Sequence, residues 1–426
     1  MGTNNMNEAR GTLTSTKNIG LVMLGSDTGI YALARDFHQC YGIRPKIVAR
    51  AAFGPIKDSK ILDVHEIGLD VTRRDYIDYL IEHAEELRAG NEKTILLCNT
   101  DHLVEALCEA KDELESLYEL VIPPLKTYER ISDKVGFAEL CDQLEIPTPK
   151  TIGVQFGAEE NPQLNALEAG LDFPVIAKPA LSADYENVKF EGQKKVFQLT
   201  DQTEVDQLIQ TLQQAGFQGQ FVFQQKINGD DTTMRSLTAY VNRRGEVTLL
   251  SGARVLLEDH APGLIGVPLA MVTQEMPELM AQAKKLLESV DYYGFANFDI
   301  KVDSVSGKPY FLEVNPRIGR NAYYTVAGGS HPSLAVMEDI FEVADPRFQG
   351  VEQEALYSLV DAFLLSRYID EEDRRMISNL PKDRIVHPLD YSADRGVKRM
   401  FYVYGSTFKQ RLKFRKYYPV RNAEVI

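Results

Sequence analysis

Up to about residue 120 the chain alternates short apolar runs with longer stretches whose apolar positions return every three or four residues. Residues 18–25 (NIGLVMLG), PKIVAR and TILLCNTD predict strands, and HEIGLDV predicts a further short one. SDTGIYALARDFHQCYG carries Ile30, Leu33, Ala34 and Phe37 at helical spacing, and YIDYLIEHAEELRAG and HLVEALCEAKDELESLY predict two more helices. Strands alternating with helices of this length imply parallel pairing in a doubly wound sheet. Ser26-Asp27-Thr28 and Asn99-Thr100-Asp101 then fall at its carboxyl edge, where ligands collect in open α/β sheets, although Ser26 and Thr28 are equally suited to capping a helix.

VIPPL breaks this rhythm. A new unit opens with a helix capped by Ser132 or Asp133, followed by the short strand in GLDFPVIAKPA and a polar hairpin or loop, SADYENVKFEGQKK. The helix TEVDQLIQTLQQAG leads to the strand QFVFQQKINGDD, to the strands TMRSLTAYVN and EVTLLSGARV, and to the helix PELMAQAKKLLESV. The run NFDIKVDSVSGKPYFLEVNPRIGR predicts two strands joined by a turn at Ser306-Gly307. Alternation sets Phe298, Ile300 and Val302 against Asp299 and Lys301, and Leu312 and Val314 against Glu313 and Asn315, with Phe311 on the Glu313 side. Asp299, Glu313 and Asn315 offer hard oxygens of the kind Mg²⁺ prefers, and Arg317 and Arg320 follow with planar forks for anionic oxygens. Lys178 interrupts an otherwise apolar strand and so needs a counter-charge, either a neighbouring acid or a phosphate.

The chain has 426 residues, enough for two or three domains, and no uninterrupted apolar stretch long enough to span a bilayer. Residues 1–17 are polar and small and predict a flexible arm rather than a leader, so a cytoplasmic protein is expected. Cys40, Cys98, Cys108 and Cys141 sit in apolar contexts without metal spacing and predict reduced core thiols. A net charge of −15 argues against nonspecific nucleic-acid binding. The end of the chain departs from that balance. From Phe401 onward, Lys409, Arg411, Lys413, Arg415, Lys416 and Arg421 face a single acid, Glu424, with aromatic residues interleaved. That composition suits an anionic substrate or lipid, or a final element that packs its aromatics and solvates its cations.

Taken in order, Asp133-Lys134, PVIAKP (residues 174–179), FVFQQKING (221–229), NFDI (297–300) and FLEVNPR (311–317) resemble the ATP-grasp superfamily over residues 19–330. The resemblance implies an N-terminal doubly wound α/β domain (18–128), two α+β ATP-grasp lobes (129–218 and 219–345) and a mixed C-terminal region (346–426). It implies that Lys134 and Lys178 contact ATP phosphates and that Gln224, Gln225, Lys226 and Ile227 form the adenine hinge through the Gln225 carbonyl and Ile227 amide; Asp230 or Asp231, just beyond, is placed to reach the ribose. It implies Asp299, Glu313 and Asn315 as ligands of Mg²⁺, with Mn²⁺ as a substitute, and Arg317 and Lys178 at the reacting phosphate. The chain departs from the superfamily in having one glycine in its loop SADYENVKFEGQKK, and Gln224-Gln225 where a glutamate is common.

NPRIGRNAYYTVAGG and LGSDTGIYALARDFH resemble the D-aspartate ligase group of carboxylate–amine ligases. That likeness implies phosphorylation of an amino-acid carboxylate by ATP and attack on the acyl phosphate by the side-chain amine of a nucleotide-linked muramyl peptide, in an enzyme that is often a dimer. Arg320 or Arg254 is the expected holder of a second substrate carboxylate, with Asn321, Tyr323 and Tyr324 close enough to shape its pocket, although the two tyrosines are equally suited to packing. The alternatives are another ATP-grasp amino-acid or peptide ligase and a nucleotide-binding regulatory protein. Peripheral membrane contact by the basic tail is a further expectation.

Overall fold

Ile19–Leu24 (β1), Lys46–Ala49 (β2), Asp63–Glu66 (β3), Lys93–Cys98 (β4) and Glu119–Leu120 (β5) form a parallel sheet in the order β3-β2-β1-β4-β5. The computed structural model describes residues 18–157, 162–181, 185 and 188–420; the arm 1–17, part of SADYENVKFEGQKK, and Arg421 and Glu424 of the tail lie outside the described residues. β1 is buried along its whole length, as a strand covered on both faces must be. Its alternate residues feed two cores. Leu21 and Met23 join helices Thr28–Tyr41 and Pro332–Ile340, whereas Val22 and Leu24 join helices Arg73–Glu82 and Asp101–Glu109.

Local chemistry trims the predicted elements. The strand expected at HEIGLDV begins two residues earlier, at Asp63, and ends at Glu66, because the chain turns through Gly68 at φ 107°. The helix expected over YIDYLIEHAEELRAG breaks at His83, and the one over HLVEALCEAKDELESLY breaks at Ala110. Helix Thr28–Tyr41 is capped by Asp27, not by Ser26 or Thr28: the Asp27 carboxylate accepts from the Ile30 amide at 3.0 Å.

The remaining strands are Thr151–Gln155 (β6), Val175–Pro179 (β7), Phe197–Leu199 (β8), Gln220–Gln225 (β9), Met234–Val241 (β10), Val247–Asp259 (β11), Val267–Thr273 (β12), Gly294–Val302 (β13), Pro309–Asn315 (β14), Leu356–Ser358 (β15) and Ile385–Val386 (β16). One sheet runs β6-β9-β7-β8, and another runs β14-β13-β10-β11-β12-β15-β16. The pattern of polar and apolar positions did not announce β6 or β12.

The chain divides into two compact units. Of the described residues, the first comprises 18–128, 236–297 and 315–420, and the second comprises those within 129–235 and 298–314. The second unit has its own apolar core, in which Tyr185, Phe217, Phe221 and Phe223 pack with Val175 and Ala177 of β7.

Candidate active site

In the second unit, the Asp133 carboxylate accepts from the Gly136 amide at 2.6 Å and starts helix Lys134–Gln143, which sets Lys134 at the helix start. The Lys134 ammonium donates to the Ala180 carbonyl at 2.7 Å, just beyond β7. Lys178 sits on β7 between the buried Ala177 and Pro179. Burial pushes its ammonium down to about 8; Glu313 and Asp299 pull it back up, while Lys134 and Lys195 push it further down. Five charged groups from β7, β13, β14, a helix start and a loop therefore share one electrostatic neighbourhood. Among the described residues no acid stands within ion-pair distance of Lys178, and two further ammoniums act on the same place. Such an excess of cations beside two carboxylates is a setting for a polyanion and a divalent metal.

β14 departs from strict alternation. Phe311 and Val314 are buried while Leu312, Glu313 and Asn315 are partly open. The Phe311 ring meets Phe298 edge-on at 5.9 Å.

The expected adenine hinge follows β9. The buried Gln224 donates its side-chain amide to the Thr151 hydroxyl at 2.8 Å, tying β9 to β6. Lys226, Ile227 and Asn228 then leave the sheet. Asn228 donates from its backbone and its side chain to Asp303, each at 3.0 Å, and the Asp303 carboxylate also accepts from Ser306 in the turn between β13 and β14. These donors hold the Asp303 carboxyl well below its ordinary range. No local pattern marks this brace, because its partners lie 75 residues apart. Asp231 opens a short 3₁₀ turn capped by Asp230.

In the first unit, acids at the carboxyl edge of the parallel sheet meet the two arginines. Arg317 forks onto Asp101 at 2.8 and 3.2 Å and donates to the Asn315 side-chain oxygen at 3.2 Å. Arg320 pairs with Asp27 at 3.2 Å, and Asn99 donates to the same Asp27 at 2.8 Å. Gly29 makes this approach feasible: a Cβ there would stand 2.8 Å from the Arg320 Cα and 2.6 Å from Asn99.

The neighbours expected to shape a substrate pocket are instead packing groups. Tyr324 is fully buried with its hydroxyl on Thr238, Tyr323 donates to Gln39 at 2.7 Å, and Asn321 donates to the Met271 sulfur. Their helical turn folds under β11 and β12 rather than along an open wall, which alternation cannot foretell. Arg254 is ion-paired with the buried Asp373.

Among the described residues, the group of three metal-type side chains is Asp36, Cys40 and His331. It is closed upon itself: His331 Nδ1 lies 2.7 Å from Asp36 and 3.4 Å from Cys40 Sγ, and Asp36 also accepts from the Ser333 amide. All four cysteines are free thiols; Cys98, Cys108 and Cys141 are buried as expected, whereas Cys40 is only partly so. No helix among the described residues is long and apolar enough to cross a membrane.

The family described as carbamoyl-phosphate synthase L chain, ATP binding domain, matches residues 264–328. Among solved structures, the chain resembles an L-amino acid ligase from Bacillus licheniformis (TM-score 0.53, 15% identity, 76% of this chain and 75% of that one). It also resembles N5-carboxyaminoimidazole synthetase from Staphylococcus aureus complexed with ADP (TM-score 0.55, 12% identity, 80% and 81%). A third likeness is to the biotin carboxylase domain of Hydrogenobacter thermophilus 2-oxoglutarate carboxylase, solved with MgADP and bicarbonate (TM-score 0.59, 15% identity, 79% and 73%). At these identities the likeness establishes the fold. In sequence, the chain is 30% identical over 409 residues to D-aspartate ligase of Enterococcus faecium (strain Aus0004), covering 94% of this chain and 97% of that relative. With an ATP-grasp fold and this degree of identity along nearly its whole length, the chain belongs to the D-aspartate ligase family and is an ATP-dependent carboxylate–amine ligase.

Proposed function

We propose that this ligase joins D-aspartate to the side-chain amine of a peptidoglycan precursor peptide. The observation that carries the nucleotide half of this reading is the Lys178 ammonium, desolvated among Lys134, Lys195, Glu313 and Asp299. The donor and acceptor are those suggested by the relative's name and by the family's chemistry. A donor carboxylate oxygen attacks the γ-phosphorus of ATP and ADP leaves. The acceptor nitrogen then attacks the acyl carbon, phosphate leaves, and the amide forms with loss of a proton from the amine.

Both partners of the first step are anionic, so they meet only where charge is neutralised. Lys134 and Lys178 supply positive charge for the phosphates. The Gln225 carbonyl and Ile227 amide hold the adenine edge, and Asp231 holds the ribose. Asp299, Glu313 and Asn315 are two carboxylates and an amide oxygen, a donor set that fits Mg²⁺. When bound, that ion supplies Lewis-acid stabilisation of phosphate charge. Arg317 stabilises the acyl phosphate or the oxyanion that develops when the amine adds to it. Arg320, held by Asp27 in the free protein, exchanges that acid for the second carboxylate of a dicarboxylic donor.

The test is ADP release with D- and L-aspartate, with and without a muramyl-peptide acceptor carrying a free side-chain amine. D-Aspartate-dependent release, together with an aspartyl adduct on the acceptor seen by mass spectrometry, is the expected result. Release driven by another donor while D-aspartate stays inert would overturn the substrate assignment.

A further inference from the structure

The last helix, Val397–Tyr417, separates its aromatic residues into two groups. One face is locked into the first unit. Arg399 is buried with its guanidinium 4.1 Å over the Tyr31 ring, and Val403 and Phe414 are buried. Arg411 pairs with Asp361 at 2.7 Å and Lys413 with Asp259 at 2.9 Å. The other face is an open apolar stripe. Val397, Phe401, Tyr404, Phe408 and Leu412 recur at helical spacing and are 53% to 77% exposed. Packing of the aromatics, one of the readings of the tail's composition, therefore accounts for the inner face and leaves the outer one unexplained.

Charge identifies what fits the outer face. The helix spans 21 residues and contains no acid. Lys398, Lys409 and Lys416 project along one margin of the stripe and Arg415 lies near its end, all exposed. A chain with a net charge of −15 thus concentrates beside its exposed rings cations that have no ion-pair partner among the described residues. A second copy of the same helix would bring cations against cations, with no acid on either side to pair them. An anionic bilayer supplies both missing parts: acyl chains for the stripe, and phosphate headgroups for the ammoniums at its margin.

We propose that Val397–Tyr417 is a peripheral docking helix for an anionic lipid surface, lying in the headgroup plane with Phe401, Tyr404, Phe408 and Leu412 inward. The proposal is independent of the substrate assignment. Net negative charge elsewhere on the protein confines adsorption to this face, and the locked inner face means that the helix binds without leaving its unit.

The experiment is flotation of the full-length protein with vesicles of phosphatidylcholine alone, or of phosphatidylcholine and phosphatidylglycerol in equal parts. The protein is expected to float with the anionic vesicles and to be released by high salt. The double variant Phe401→Ser/Phe408→Ser should lose binding by at least about tenfold, and Lys398→Gln or Lys409→Gln by roughly fivefold each. These side chains are exposed, so the variants should melt with the wild type. Absence of flotation, equal flotation with neutral vesicles, or flotation indifferent to the two phenylalanines would each overturn the proposal. Light scattering provides the rival outcome: a wild-type dimer that Phe401→Ser/Phe408→Ser converts to monomer would assign this face to a second copy.

Discussion

Two clusters of charge in this protein are built on opposite terms. At Asp36 and His331, burial works against the charged imidazole, but the carboxylate 2.7 Å away outweighs it and holds the ring well above its ordinary pKa. The Asp36 carboxyl, which burial alone would raise, is held below its usual value by that imidazolium and by the Ser333 amide. Each charge satisfies the other, and the pair joins helix Thr28–Tyr41 to helix Pro332–Ile340. At Lys178 the balance runs the other way: dehydration dominates, two further lysines add to the strain, and the ammonium is pushed down to about 8. A closed pair is what a fold keeps for its own stability. A cation left short of compensation is what it keeps for a ligand.

The largest effect that would break this contrast is on activity. Glu313→Gln keeps the side-chain shape and removes a charge from the Lys178 cluster, and should lower ligation by about 10³-fold with an unchanged melting profile. Wild-type turnover in that variant would leave the proposed metal site without support. On the closed pair the effect moves to stability. Asp36→Asn leaves a buried imidazolium without its partner and should cost about 3–5 kcal/mol in denaturant unfolding. A loss below about 1 kcal/mol would mean that the pair is worth no more than a surface contact.

Lys178→Met tests the same contrast with the sign reversed. Removing a dehydrated, crowded cation should leave the ligand-free protein as stable as the wild type or more so, by up to about 1–3 kcal/mol. The same change should weaken ATP binding by about 1.5–3 kcal/mol, roughly ten- to a hundredfold. Calorimetry of ATP binding, run beside thermal unfolding, separates the two. A variant that both unfolds earlier and binds ATP normally would make Lys178 a structural residue and reverse the comparison.

The open cluster was more legible in the sequence than the closed one, for a physical reason. Lys178, Asp299 and Glu313 stand on strands whose alternation marks a charged residue among apolar ones, so each shows in a window of a few residues. His331 and Asp36 are 295 positions apart, and each looks ordinary in its own helix. The acids that hold Arg317 and Arg320 were hidden in the same way, since Asp101 lies 216 residues before Arg317. The buried positions of β14 fall three apart, at Phe311 and Val314, where alternation alone predicts two. β6 was missed because Thr151–Gln155 is short and only partly buried, with Gly153 at its centre. β12 was missed because its strand pattern emerges directly from the glycine-rich turn around Gly263 and Gly266.

The smallest effect is also the one most specific to the closed pair. His331 has its pKa raised on folding, so its contribution is complete below about pH 6.5 and is lost as pH rises through the raised value. Asp36 has its pKa lowered, so its contribution is complete above about pH 4 and is lost as pH falls through the lowered value. The stability gap between wild type and Asp36→Asn/His331→Gln, a reference in which neither position titrates, should therefore be level between about pH 4 and 6.5 and should narrow on either side. Chemical denaturation at closely spaced pH values measures it. A gap that widens above neutrality would require His331 to be stabilising in its neutral form, and the pair would then be a hydrogen bond between uncharged partners rather than the ion pair that its geometry describes.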